Sequence, residues 1–258
     1  MKATLYLIPV MLGEMNYSRV LPDDNRKVIL SLKHFIVENV RSARRFLKKA
    51  APEIVIDALH FIELNNHTSP EAIPSLLAPM GAGESVGLMS EAGCPAVADP
   101  GAEVIAIAHR KGYRVTPLVG PSSILMALMA SGFNGQRFSF QGYLPVEAAK
   151  RVERIKALEA RMVAEDETQI FMETPYRNHK LLDDLIRTCK PTTRLCVAAG
   201  ITCGDEFIKT RPVKEWAGKF PDLNKKPAIF LIGKFKTMNN EQNVRNCFPT
   251  ESDTLFDF

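Results

Sequence analysis

The sequence predicts an α/β fold that is divided into two α/β domains. Apolar, strand-like segments alternate with loops and helix-like segments along the chain, which is typical of sheets with helical crossovers. Two strands run into stretches of small residues, glycine and proline, at 89–101 and 119–123. The pattern also changes near residues 118–121, which predicts domains over 1–118 and 119–235, followed by a polar tail over 236–258.

The first half of the chain alternates strands and helices in order. Strands are predicted at Thr4–Ile8, His34–Val37, Leu59–Leu64, Ser85–Met89 and Tyr113–Leu118. Helices are predicted from near Asn25 and over Glu38–Lys49, Ser69–Gly81 and Ala102–Lys111. Ser69 and Pro70 favour a helix start, because serine caps helices and proline suits the first helical position.

The second half of the chain has longer, more charged helices. Helices are predicted at Ile124–Ala130, Val146–Ala164 and Lys180–Cys189. Strands are predicted at Phe138–Gly142, Thr168–Met172, Arg194–Ala199, Glu206–Lys209 and Ala228–Gly233.

Composition and charge set broad limits on function. The chain has 258 residues and a net charge of +4, which permits an RNA partner without requiring one. No apolar run approaches the roughly 20 residues of a membrane span, and Pro9 interrupts the N-terminal apolar segment too early for a signal peptide. We therefore expect a cytoplasmic protein without a membrane partner.

The cysteines and histidines do not show metal-ligand spacing. Cys189, Cys196 and Cys203 are evenly spaced, but their interval matches no common zinc motif, so we interpret them as buried free thiols. The five histidines are scattered, and no metal site is expected. Cys94 lies in the 89–101 loop, where a ligand-lining role is favoured over a nucleophilic one.

The 89–101 loop is the strongest candidate for ligand binding. Small residues at the carboxyl end of a strand let a ligand approach the backbone closely. One acid lies at each end of the turn, Glu91 and Asp99. Asp99 precedes Pro100 and Gly101, where its side chain is expected to cap the following helix.

This loop resembles a known family. Ser90–Gly101, Ser-Glu-Ala-Gly-Cys-Pro-Ala-Val-Ala-Asp-Pro-Gly, is similar to the Ser-Asp-Ala-Gly-Thr-Pro…Asp-Pro-Gly loop of the tetrapyrrole methylase superfamily. Further segments resemble the branch of small-subunit rRNA ribose methyltransferases in the same order, namely Glu38–Leu47, Pro117–Ser123, Ser131–Pro145 and Phe171–Arg177. The resemblance covers about residues 3–234.

The resemblance implies an S-adenosylmethionine-dependent methyltransferase of two α/β domains with mixed sheets, usually a homodimer. The cofactor would lie folded in the cleft between the domains, as in the tetrapyrrole methylase fold. The residues implied for cofactor binding are Pro9, Ala92, Gly93, Cys94, Val97, Ser122, Ser123, Met172, Ile201, Thr202 and Ala228.

The implied chemistry is an in-line displacement, in which positioning supplies most of the rate. A ribose hydroxyl must also lose a proton, so a general base would help. Glu38, Glu91 and Glu173 are the catalytic candidates by residue type, with Asp99 beside them. Helix capping, or pairing of these acids with Arg41 or Arg177, remains an open alternative for each.

The expected acceptor is ribosomal RNA or the small ribosomal subunit. One basic helix would contact the phosphates through Arg41 and Arg45, with Arg44, Lys48 and Lys49 beside them. A solvated basic face remains an open alternative. Arg177 is a further candidate for substrate binding.

The chain departs from the branch mainly on the acceptor side. Its Ala-Thr-Pro-Ile-Gly-Asn loop is Ile8–Glu14 here, its Glu-Asp-Thr-Arg is Glu38–Arg41, and its Arg-Glu-Leu-Thr-Lys is Ala199–Cys203. Two alternatives therefore stay open. One is a methyltransferase of a tetrapyrrole or another small molecule. The other is a cofactor-binding, RNA- or ribosome-associated protein without turnover.

Overall fold

Two β-sheets organise the chain in a computed structural model, which describes residues 3–65 and 67–235. The α/β fold class expected from the sequence is confirmed, while the expected polar tail at 236–258 lies outside the described residues. The first sheet contains β1 Thr4–Leu7, β2 His34–Val37, β3 His60–Glu63, β4 Val86–Met89 and β5 Arg114–Pro117. The second contains β6 Phe138–Tyr143, β7 Thr168–Glu173, β8 Arg194–Ala199, β9 Phe207–Pro212 and β10 Ala228–Gly233.

The first sheet is parallel throughout, in the order β3-β2-β4-β1-β5. Its α-helices are α1 Asp23–Ser31, α2 Val40–Ala50, α3 Ala78–Gly81 and α4 Ala102–Arg110. Because parallel strands all end at the same edge, the loops that follow β1, β2 and β4 meet there. This edge carries most of the first half's contribution to the site.

The second sheet is mixed, in the order β6-β7-β10-β8-β9. Among the described strands of this sheet, only the β6–β7 pairing is parallel, and β10 runs antiparallel to both β7 and β8. Its helices are α5 Ser123–Ser131, α6 Ala148–Glu165 and α7 Asn178–Thr188.

Alternating strand residues build a core on each face of the second sheet. Phe171 and Phe230 face α6 and α7, whereas their neighbours Ile170 and Ile229 face α5. This alternation follows from the two-residue period of a strand. Leu12, from the loop after β1, packs into the α5 cluster and so joins the two halves of the chain.

Two helices differ from the form that the sequence predicts, in ways that matter for the site. The helix expected from Glu38 begins at Val40, because the Asn39 side chain accepts hydrogen bonds from the backbone N–H groups of Arg41 and Ser42. Glu38 therefore lies at the carboxyl end of β2 rather than on a helix. The helix expected over Ser69–Gly81 is a 3₁₀ helix at Pro70–Leu77, with Pro74 inside it, and only α3 is α-helical.

Candidate functional site

A cavity of about 330 Å³ is lined by loops from both halves of the chain. This volume lies within the range of about 300–1,000 Å³ that is typical of small-molecule sites. The first half contributes Leu12, Gly13, Ala92, Gly93, Cys94 and Val97, and the start of α5 adds Ser122, Ser123 and Ile124. The second contributes Tyr143, Met172, Glu173, Pro175, Ala198, Gly200, Ile201, Cys203, Pro227, Ala228 and Ile229.

The 89–101 loop winds tightly around one side of the cavity. Gly93, Ala96, Ala98 and Gly101 all have positive φ angles, and such angles are unusual for alanine. Gly93 exchanges two backbone hydrogen bonds with Val10, each 2.9 Å long. The loop is thereby fixed to the segment after β1, with its small residues turned towards the cavity.

The opposite side of the cavity comes from α5 and the second sheet. Ser122 caps α5 by accepting a hydrogen bond from the Leu125 N–H, which directs the start of that helix towards the cavity. Gly200 has a φ of 58° and donates its N–H to the Pro227 carbonyl at 3.0 Å. This bond holds the β8 loop beside the start of β10.

Most residues that the resemblance assigns to the cofactor line this cavity; those that do are Ala92, Gly93, Cys94, Val97, Ser122, Ser123, Met172, Ile201 and Ala228. Pro9 and Thr202 are not part of the lining. Pro9 packs closely on Gly120, and the Thr202 N–H donates to Glu206 Oε2 at 2.7 Å. These two residues support the walls from behind.

Three carboxylates lie together where the first sheet ends. Burial raises the pKa of Glu38, and the negative charges of Asp99 and Glu91 raise it further. Burial also raises the pKa of Asp99. The expectation that Asp99 caps the next helix is wrong, because the cap of α4 is Gly101 and no side chain bonds to that helix end. Glu91 accepts a short hydrogen bond from the Ser42 hydroxyl.

The third catalytic candidate, Glu173, occupies a different environment. Its side chain is buried, and Arg177 donates to its Oε1 from Nη2 at 2.6 Å and from Nε at 3.1 Å. The Thr174 N–H donates to the same oxygen at 2.7 Å. For Glu173, the structure therefore shows the ion pair that the sequence left open as an alternative to catalysis. The partner in that pair is Arg177, which was expected to bind substrate.

The basic face of α2 is partly neutralised. Arg44 pairs with Asp57 and Lys49 pairs with Glu14, and Lys48 donates to the Ile54 carbonyl. Arg41 and Arg45 are exposed and form no side-chain hydrogen bond or ion pair with any described residue. Among the described residues, the positive charge of this helix that no carboxylate pairs thus lies at Arg41, Arg45 and Lys48.

Several cavity residues were not predicted from the sequence: Leu12, Gly13, Tyr143, Pro175 and Cys203. Cys203 was expected to be buried, yet it is only partly buried and lines the cavity. Cys189 and Cys196 are buried free thiols, as expected, and burial raises their pKa values to about 12 and about 11.

No helix within residues 3–65 and 67–235 has both the length and the apolar character to cross a bilayer. Over those residues, no three His, Cys, Asp or Glu side chains group as metal ligands would.

Comparisons with known proteins agree with the geometry. The family model described as Tetrapyrrole (Corrin/Porphyrin) Methylases matches residues 26–217, which confirms the resemblance drawn from the motifs. A relative named Ribosomal RNA small subunit methyltransferase I, from Escherichia coli O157:H7, is 26% identical over 92% of this chain and 80% of its own length. The protein of that name from Mesorhizobium japonicum is 32% identical over 69% of this chain and 60% of its own length.

Solved structures show the same fold at low sequence identity. Diphthine synthase is similar with a TM-score of 0.64 and 15% identity, over 90% of each chain. The methyltransferase CobJ is similar with a TM-score of 0.61 and 16% identity, over 92% of this chain and 96% of its own.

Proposed function

Because the chain belongs to the tetrapyrrole methylase family, we propose that this S-adenosylmethionine-dependent methyltransferase methylates a ribose 2′-hydroxyl of small-subunit ribosomal RNA. The observation that carries the proposal is the cavity between the 89–101 loop and the second sheet. Glu91 and Asp99 belong to that same loop, and their charges act on nearby Glu38. The names of the two relatives described above support the choice of acceptor.

The cavity suits the proposed cofactor in shape and chemistry. Met172, Ile201 and Ala228 offer an apolar surface for an adenine ring. At Gly93, a side chain would meet Leu12 and the Pro121 carbonyl, so the backbone leaves room for a ligand there only because residue 93 is glycine. When bound, the cofactor supplies a methyl group on a positively charged sulfur.

In the proposed mechanism, Glu38 accepts the proton of the ribose hydroxyl. Its Oε2 is buried and has no hydrogen-bond partner in the described structure, which disfavours the charged form and makes the carboxylate more basic. Glu91 and Asp99 add negative charge nearby. A carboxyl whose pKa is raised towards neutral pH is better suited to general-base catalysis than an ordinary one.

The acceptor RNA would be held by the free cations of α2. Arg41 and Arg45 lie on the helix that begins directly after Glu38 and Asn39, so phosphates bound there would be close to the proposed base. These contacts would position the RNA without reading its sequence.

We also propose that the enzyme acts as a homodimer in the cytoplasm, where its ribosomal acceptor would be found. Val119, Leu125 and Met129 are exposed apolar residues on or beside α5, and Met129 is 82% exposed. Such a patch is typical of a surface that a second copy covers. Light scattering on the wild-type chain and on Met129→Glu tests this proposal, since a monomer in both would contradict it.

Calorimetry with S-adenosylmethionine tests the core of the proposal, and absence of binding at millimolar cofactor would overturn it. Tritium transfer to small ribosomal subunits from a strain that lacks this gene tests the acceptor. The expected product after nuclease digestion is a 2′-O-methylated nucleoside. Transfer to a tetrapyrrole instead, or cofactor binding without any transfer, would replace this function with one of the two alternatives.

A further inference from the structure

Two exposed tyrosines lie at the edge of the second sheet beside the cavity. Tyr143 ends β6 and is 55% exposed, and Tyr176 lies in the turn after β7 and is 80% exposed. Their strands are neighbours, with Tyr143 opposite Met172 in the β6–β7 pairing. Neither ring packs on another aromatic ring or donates a hydrogen bond within residues 3–65 and 67–235.

Tyr143 lies in the cavity wall, close enough to Asp99 and Glu38 for their charges to act on its hydroxyl. Its neighbours in the cavity wall include Glu173 and Pro175. Burial raises the pKa of its hydroxyl, and the charges of Asp99, Glu173 and Glu38 raise it further. A nucleotide whose ribose hydroxyl reaches Glu38 would therefore have the Tyr143 ring within reach of its base.

Tyr143 lies near carboxylates, whereas positive charge lies beside Tyr176 and on α2. His179 and Lys180 are exposed at the start of α7, close in sequence to Tyr176. Arg41 and Arg45 lie beyond the carboxylates on the first half of the chain. Exposed aromatic rings flanked by cations are the usual combination for binding single-stranded nucleic acid, because any base can stack on a ring while phosphates contact the cations.

We propose that Tyr143 and Tyr176 form a stacking platform for unpaired bases of single-stranded RNA, with Tyr143 holding the base of the acceptor nucleotide. This inference rests on the proposed function, which supplies RNA as the substrate class. It adds that the acceptor must be unpaired, because a base stacked on Tyr143 cannot remain in a duplex.

The test is binding of the full chain, saturated with S-adenosylhomocysteine, to a short single-stranded RNA that carries one 2-aminopurine. Anisotropy of an end label gives the affinity, and quenching of 2-aminopurine reports stacking. Tyr143→Ala and Tyr176→Ala should each weaken binding about 5- to 150-fold, the range of base–aromatic stacking. Both should also reduce quenching. Tyr143→Phe and Tyr176→Phe keep the ring and should retain the wild-type affinity.

Phe220→Ala is the matched control, because Phe220 is an exposed aromatic residue outside the cavity wall and should change neither measurement. Unchanged affinity in both alanine variants would overturn the platform, as would a wild-type protein that binds the RNA without quenching. Calorimetry of Tyr176→Ala with S-adenosylmethionine should give wild-type affinity, because Tyr176 lies outside the cavity lining. Loss of cofactor affinity in Tyr143→Ala with RNA affinity unchanged would overturn the platform by assigning that ring to the cofactor.

The same variants separate this inference from the proposed function. If the wild-type chain methylates RNA and the alanine variants do so with unchanged KM, the platform fails and the function stands. If the wild-type chain neither binds nor methylates RNA, both fail together. A duplex RNA of the same sequence should bind more weakly than the single strand, and equal binding would contradict the requirement for unpaired bases.

Discussion

The α-carbon of Gly13 lies directly against the sulfur of Cys203, so closely that a methyl group on residue 13 would overlap it. Gly13 belongs to the loop after β1, and Cys203 belongs to the loop after β8. Both residues line the cavity, and their contact joins its two halves at one end. The close approach explains why glycine is needed at residue 13.

Gly13→Ala should destabilise the protein by about 1–3 kcal/mol, the usual cost of overpacking. Cys203→Ala should suppress most of that loss, because the remaining Cβ would be 4.0 Å from the new methyl group. Urea unfolding of the wild type, both single variants and the double variant measures the coupling. Equal destabilisation by Gly13→Ala in both backgrounds would show that the contact is not responsible.

Gly93→Arg should abolish binding of S-adenosylmethionine, because the side chain would enter the cavity between Leu12 and the Pro121 carbonyl. Gly112→Arg is the control. Gly112 also has a positive φ, 70°, but it has open space around it and lies outside the cavity wall. Calorimetry should show binding only in the control, and retained affinity in Gly93→Arg would place the cofactor elsewhere.

The acidic limb of the kcat/KM profile should lie above pH 4.5, the ordinary pKa of a glutamate, because Glu38 must be deprotonated to accept a proton and its pKa is raised. Asp99→Asn removes a negative charge near Glu38 and should move that limb to lower pH. Glu38→Gln should lower kcat by about 10²- to 10⁴-fold. A limb that does not move in Asp99→Asn would assign the titration to another group.

The raised pKa of Glu38 also predicts a pH-dependent effect on stability. The folded protein binds this proton more tightly than the unfolded chain, so the contribution of Glu38 is favourable below its ordinary pKa and is lost as pH rises through the raised value. Glu38→Gln should therefore raise the free energy of unfolding relative to wild type at pH 8 but not at pH 4. Denaturant titrations at pH 4 and pH 8 measure the free energy of unfolding. A gain in Glu38→Gln at pH 4 but not at pH 8 would contradict the assignment.

Arg177→Ala should destabilise the protein by about 2–3 kcal/mol, somewhat below the cost of breaking a fully buried pair, because it leaves the buried Glu173 carboxylate without its cation. Adding Glu173→Gln should recover part of the loss by removing the unpaired charge. If the double variant is as unstable as Arg177→Ala alone, packing of the arginine stem rather than its charge accounts for the loss.

Ala98→Gly should stabilise the protein by up to about 1 kcal/mol, because alanine at a φ of 64° is strained and glycine is not. Ala102→Gly, in the first turn of α4, is the matched control and should destabilise by about 0.5–1 kcal/mol. Thermal unfolding of the two variants should therefore shift in opposite directions.

The 89–101 loop could be predicted from the sequence because its chemistry is local. A buried strand followed by small residues is enough to indicate a close ligand approach. The contact of Gly13 with Cys203 could not be predicted in this way, because its partners are far apart in the chain and each has an ordinary local context. Tyr143 was missed for the same reason, since only the fold brings it near Glu38.

The position of Glu38 shows a different limit of sequence reasoning. The sequence pattern predicts a helix that begins at Glu38. In the structure, Asn39 caps α2, which begins at Val40. A cap depends on one side-chain hydrogen bond, which an apolar pattern does not encode. Mixed sheets were expected from the family resemblance alone, because strand segments look alike in either direction and do not reveal which pairs are antiparallel.

The paired hydrogen bonds between Val10 and Gly93 have a consequence for how a ligand is admitted. They fix the 89–101 loop on one side of the cavity before a ligand binds, so the protein loses little conformational entropy on binding. Association of the cofactor should therefore proceed in one kinetic step, without a slow rearrangement of this loop. The protein would discriminate between ligands by how well each fits a cavity whose shape is formed before binding.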